Sequence, residues 1–117
     1  MTVARPRRAV RTVPVFAALG DETRLGLVDR LADGGSYSIT TLTAGTAVTR
    51  QAVTKHLRVL ESAGVVRSER EGRERVYALD PAPLDEARAH LERVSASWDR
   101  TLARLKAFVE DAPDPAG

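Results

Sequence analysis

The sequence predicts a mainly α fold completed by a small β-hairpin and one long terminal helix, and three observations predict it. Hydrophobic residues make up 43% of the 117 residues but aromatic ones only 4%, so the core must be built from Leu, Val and Ala, which suit helices packed on helices. The six prolines stand at Pro6, Pro14, Pro81, Pro83, Pro113 and Pro115, leaving residues 15–80 and 84–112 free of proline. Apolar residues recur at helical spacing except over residues 65–79, where the period shortens to two. A chain of this length has room for one domain with a modest core and none for a second.

Each element has its own marks. From Pro14 to Leu19 an apolar turn or short helix leads to Gly20. Asp21 is then a good N-cap for a helix carrying Leu25, Val28 and Leu31 that ends at Gly34-Gly35. Residues Ile39–Ala44 make a threonine-rich helix supported mainly by its position between stronger elements. Thr49 caps the next helix, which runs to about Ala63 and meets Gly64, a natural residue for a left-handed stop. In residues 65–79, Val66, Ser68 and Arg70 are mirrored by Arg75, Tyr77 and Leu79 around a charged tip at Glu71-Gly72. Asp80 followed by Pro81 opens the final helix, where Leu84, Ala87, Leu91, Val94, Trp98, Leu102, Leu105 and Val109 follow a near-heptad spacing. The domain is expected over 14–111, between a disordered basic arm at 1–13 and a disordered tail at 112–117.

Charge is segregated beneath the net +2. Residues 1–13 hold Arg5, Arg7, Arg8 and Arg11 against no acid, and residues 50–75 hold seven basic side chains against four Glu. Residues 76–117 hold five basic side chains against eight acids. A basic middle with an acidic last third suggests a polyanion partner on one face and a different partner on the other.

The order of these elements, with a capped helix followed by a charged hairpin, is that of a winged helix-turn-helix with a long C-terminal dimerisation helix. In the helix from Thr49, Val53, Leu57 and Leu60 form one stripe, flanked by Ala52, His56 and Ala63, while Gln51, Thr54, Lys55 and Arg58 project from the other side. A major groove admits one such helix, and its first turns meet base edges. Arg50 suits guanine, Gln51 suits adenine, and Thr54 suits a phosphate or a thymine methyl. Each of these side chains taken singly also fits a merely solvated helix face. Around Gly72 stand Arg67, Arg70, Arg73 and Arg75, placed to reach a flanking minor groove or phosphates, although Glu69, Glu71 and Glu74 interleave with them and offer pairing across the hairpin.

The run FAALGDETRLGLVDRL, followed by TRQAVTKHLRVLESAGVVRSEREGRERVYALDP, closely resembles the ArsR family of bacterial winged-helix repressors from about Phe16 to Pro81. The resemblance implies a homodimer on a near-palindromic operator. It places Thr49, Arg50, Gln51, Thr54, Lys55 and His56 at DNA-facing or phosphate-facing positions, and residues 65–79 as the wing. Two positions depart from the family pattern: Glu22 stands where Pro is common, and Gly26 lies inside a helix at a cost of about 1 kcal/mol relative to Ala. Many members sense metals through cysteines before the turn or through Asp and His on the last helix. Here SYSITTL has no thiol, and the last helix offers His90 with Asp85, Glu92 and Asp99, short of the roughly four ligands of a closed zinc site unless two copies of His90 combine. No metal and no cofactor are therefore expected. His90 reads more simply as a solvated or interface residue, and His56 as packed or phosphate-facing. The ending SWDRTLARLKAFVED resembles a metal-independent branch, which implies that Leu91, Val94, Trp98, Leu102 and Leu105 face a second copy of the chain.

The expected function is sequence-specific binding of double-stranded DNA as a transcriptional regulator, with Thr49, Arg50, Gln51, Thr54, Lys55, His56, Arg58, Arg70, Arg73 and Arg75 at the DNA. A rival from another class is a dimeric interaction module whose basic face binds an acidic protein. An enzyme is not expected: no cysteine, Ser-His-Asp constellation, phosphate loop or paired carboxylate in an apolar setting occurs. No run is long enough to span a bilayer, and the N-terminal charges lead into no apolar segment, so no membrane partner is expected and the cytoplasm is the expected location. No effector is indicated.

Overall fold

The computed structural model describes residues 8–111. Five helices and a three-stranded antiparallel sheet follow in the order α1 (Arg8–Leu19), α2 (Glu22–Leu31), β1 (Tyr37–Ser38), α3 (Ile39–Ala44), α4 (Arg50–Ser62), β2 (Val66–Glu71), β3 (Glu74–Leu79) and α5 (Pro81–Asp111). This is a winged helix-turn-helix in which α3 and α4 form the helix pair and β2-β3 the wing. Among the described residues no helix is long and apolar enough to cross a membrane.

Side chains and backbone agree at most boundaries. The Asp21 carboxylate accepts from the Arg24 N–H at 3.0 Å, the Thr49 hydroxyl from Ala52 N–H at 3.1 Å, and Asp80 from Ala82 N–H at 3.1 Å, so three helices begin where a short polar side chain satisfies an orphan donor. At the end of α4, Gly64 adopts φ 79°. Its N–H donates to Glu61 and that of Val65 to Leu60, both at 2.9 Å, closing the helix with a left-handed residue.

The start of the domain differs from the expectation. Residues 8–13 belong to α1 rather than to a disordered arm, and the helix runs through Pro14. Proline has a helical φ and removes a single i to i−4 bond, while Thr12, Val15 and Ala18 lie buried on one side. Arg11, expected in the free arm, pairs with Glu86 of α5 at 3.3 Å. The rest of the expected arm, residues 1–7, and the expected tail at 112–117 lie outside the described residues.

Two further differences concern α2 and the sheet. Leu27, Val28 and Leu31 form the buried face of α2, while Leu25 is 46% exposed. Positions 27 and 31 lie one turn apart, and position 25 lies about 200° around the helix from 27. A third strand, β1, adds to the hairpin in the order β1-β3-β2, with Tyr37 opposite Tyr77 and Ser38 opposite Val76. Two residues are too few to carry a readable alternation.

The core is a single cluster in which Leu27, Leu31, Leu42, Val53, Leu57 and Leu60 are fully buried. Polar contacts add a second restraint on α3. The Arg30 guanidinium donates to the carbonyls of Leu42 at 2.6 Å and Thr41 at 3.0 Å, tying α2 to the end of α3. A Cβ on Gly45 would fall on that guanidinium. We therefore expect Gly45→Ala to displace Arg30 and to lower unfolding free energy by about 1–2 kcal/mol, since charge-assisted hydrogen bonds are lost. In a double-mutant cycle by chemical denaturation, Gly45→Ala should cost little once Arg30→Ala is present, and a full additive cost would contradict the restraint.

Candidate nucleic-acid interface

Helix α4 is two-sided. Val53, Leu57 and Leu60 are at 0% exposure, while Gln51 and Lys55 are exposed and make no hydrogen bond or ion pair among the described residues. The residues at its start are prepared differently. Thr49 is held by its capping bond, and Thr54 turns its hydroxyl back onto the Arg50 carbonyl at 2.9 Å, so its methyl and lone pairs remain for a partner. Arg50 is tied sideways, its Nη1 donating to the Thr40 hydroxyl of α3 at 3.2 Å. Arg58 is exposed one turn beyond Thr54 and borders a hollow that also touches Arg75 and Tyr77 of the wing.

His56 does not belong to this face. Its side chain is 23% exposed, with Nδ1 3.3 Å from Arg24 Nη1 and 3.8 Å from Asp21 Oδ2. Arg24 in turn donates from Nε to Ala18 O at 2.6 Å and from Nη2 to Ala17 O at 3.4 Å, capping the last turn of α1. The Arg24 N–H bond holds the Asp21 carboxyl below its ordinary value, so the acid stays charged beside the Arg24 guanidinium. The signal was present in the sequence: position 56 lies three residues after Val53 and four before Leu60, at the edge of the buried stripe.

The wing resolves the ambiguity of its interleaved charges. Strand register sets Ser68 opposite Tyr77, Arg70 opposite Arg75 and Glu71 opposite Glu74. Alternation therefore sends Ser68, Arg70, Arg75 and Tyr77 to one face and Glu69, Glu71 and Glu74 to the other. Among the described residues no wing arginine forms an ion pair with a wing glutamate. Instead Arg75 Nη1 donates to Ser68 Oγ at 2.8 Å, and Arg70 Nε reaches the Gly72 carbonyl at 3.4 Å. Gly72, at φ 65°, and Arg73 form the two-residue turn, so the tip sits one residue later than Glu71-Gly72. Two arginines facing each other repel, and an external anion would relieve that repulsion.

A second surface, on α5, carries an exposed apolar stripe. Helix α5 packs on α1 through its first turns, where Phe16 and His90 meet with ring centroids 6.2 Å apart. From Leu91 to Asp111 every residue is exposed. That stretch carries Leu91, Val94, Trp98, Leu102 and Leu105, the five residues the sequence assigned to an interface, with Trp98 60% exposed. Phe108, 75% exposed and three residues after Leu105, extends the stripe and was missed, as was Val13 on the exposed side of α1. Around His90 the surroundings do not suit a metal: the Arg93 guanidinium lies 3.5 Å from its Nδ1, and no three His, Asp or Glu among the described residues gather as a ligand set.

Comparisons with known proteins agree with this geometry. A family model described as a helix-turn-helix domain matches residues 19–69. The chain is 37% identical over 99 residues to the HTH-type transcriptional regulator Rv2034 of Mycobacterium tuberculosis, covering 85% of this chain and 89% of that protein. Its fold is similar to an ArsR-like transcriptional regulator from Rhodococcus sp. RHA1, with a TM-score of 0.74 and 39% identity over 89% of this chain and 97% of the other. A further likeness, with a TM-score of 0.59 and 29% identity over 83% of this chain and 91% of the other, is to a domain from Mycobacterium bovis described as a homodimeric winged helix-turn-helix DNA-binding domain.

Proposed function

This chain belongs to the ArsR family of winged helix-turn-helix transcriptional regulators, and on that footing we propose that it acts in the cytoplasm as a homodimeric repressor on a near-palindromic operator. The observation that carries the reading is the exposed, unpartnered pair Gln51 and Lys55 on a helix whose opposite stripe is locked in the core. With α4 in a major groove, the Gln51 carboxamide can pair with an adenine edge and Lys55 can meet a phosphate, while Arg70 and Arg75 lie against the neighbouring backbone. Lys55→Ala should weaken binding to operator and random duplex in parallel. Gln51→Ala should lose about 1–3 kcal/mol of discrimination at one base pair per half-site, with random duplex unaffected. Fluorescence anisotropy with both duplexes checks this, and equal effects of the two substitutions on both would contradict the division of roles.

The dimer rests on α5. Its 31 residues extend about 46 Å, and every residue of the two thirds beyond His90 is exposed. Most helical stability comes from packing an apolar face, and burying each large apolar side chain contributes about 1.5–3 kcal/mol. A second copy packed along Leu91, Val94, Trp98, Leu102 and Leu105 would satisfy both needs and set two α4 helices about 34 Å apart, one turn of duplex. Occupancy of such an operator would block transcription. Trp98→Glu with Leu105→Asp should give a folded monomer by analytical ultracentrifugation and circular dichroism, with operator affinity reduced at least tenfold. A double variant that remained dimeric would overturn this assignment of the interface.

A further inference from the structure

A hollow of about 240 Å³ opens between the start of α3, the first turn of α4 and the start of β3. Arg50, Arg73 and Arg75 are among the residues that line it, together with Glu74, whose side chain strand alternation directs to the other face of the hairpin. Glu74 makes no ion pair within 4.0 Å among the described residues, which leaves the arginines unneutralised. Two of them are braced by neutral hydroxyls, Arg50 by Thr40 and Arg75 by Ser68, each bond using one of the five donors of the group. Arg73 makes no hydrogen bond or ion pair among the described residues. Arg70 faces Arg75 across the hairpin and adds to the positive potential.

We propose that Arg50, Arg73 and Arg75 grip one and the same backbone phosphate of each operator half-site, which makes Arg50 a positioning residue rather than a reader of bases. This rests on the reading that α4 enters a major groove, because the strand that leaves that groove toward the wing must then cross the hollow. A phosphodiester carries a single negative charge on two free oxygens, and the planar forks of several guanidiniums can share it. Bracing by Thr40 and Ser68 keeps two of the forks in place before the DNA arrives. A phosphate held at once by α4 and by the wing fixes the angle at which the helix enters the groove, so that Gln51 meets the same base pair in every complex.

The test counts phosphates. Each one neutralised contributes about 0.9 to the slope of log affinity against log salt, and a dimer holds two hollows. If three arginines share one phosphate, the variant Arg50→Ala/Arg73→Ala/Arg75→Ala loses about 1.8 from the slope, and each single variant loses less than that. Three separate phosphates per half-site would give about 1.8 for each single variant and about 5.4 for the triple, which overturns the proposal. A second arm leaves the protein unaltered: in operators carrying one neutral methylphosphonate linkage per half-site, a single position should reproduce the loss of the triple variant. At that position the triple variant should lose nothing further, and a scan without such a position overturns the shared grip. Absence of any salt-dependent duplex binding by the unmodified protein would instead sink the regulatory reading on which the grip rests.

Discussion

Val53, Leu57 and Leu60 hold α4 to the body of the domain, and the surface arrangement depends on that contact. With these three side chains at 0% exposure, rotation of α4 about its axis would bring Leu into water and lysine or glutamine into a core made of Leu and Val. The burial therefore decides which residues look outward. Gln51 and Lys55 are presented because they lie opposite the stripe, and His56 is half withdrawn because it borders it. A hydrophobic constraint with no direct part in recognition thus chooses the recognition surface.

The neighbouring elements fix the remaining freedoms of that helix. Arg30 ties the end of α3 to α2, Arg24 joins the last turn of α1 to His56 of α4, and the left-handed Gly64 sends the chain directly into the wing. These arginines are structural: their donors are spent on backbone carbonyls and a ring nitrogen inside the protomer. The arginines of the wing and of the first turn of α4 are different in kind. They contact hydroxyls, a carbonyl of their own hairpin, or nothing, and strand alternation carries the glutamates of β2 and β3 to the opposite face.

Much of this was legible in the sequence because the signals were local. Asp21, Thr49 and Asp80 mark helix starts by chemistry that acts within three residues, Gly64 marks a stop, and the pairing of Val66, Ser68 and Arg70 with Leu79, Tyr77 and Arg75 follows from mirrored alternation. What failed depended on partners distant in the chain. Strand β1 exists only because β3 offers it an edge, and α1 extends upstream of Pro14 because Thr12 and Arg11 find places against the rest of the domain. The buried choice of Leu27 over Leu25 was set by the direction from which the core approaches α2. In the candidate interface, residue types alone left open whether the wing arginines were neutralised, and only the register answered that.

Both surfaces of the molecule follow from one division of the chain, a basic surface on α4 and the wing and an apolar stripe on the exposed part of α5. The account is tested most directly by a nuclear magnetic resonance titration of the full chain with an operator duplex selected from a random pool. It predicts that the largest amide shifts fall on residues 50–55 and 68–75, while the methyl signals of Val53, Leu57 and Leu60 hardly move. Shifts concentrated on the exposed part of α5, with the first turns of α4 unperturbed, would contradict it.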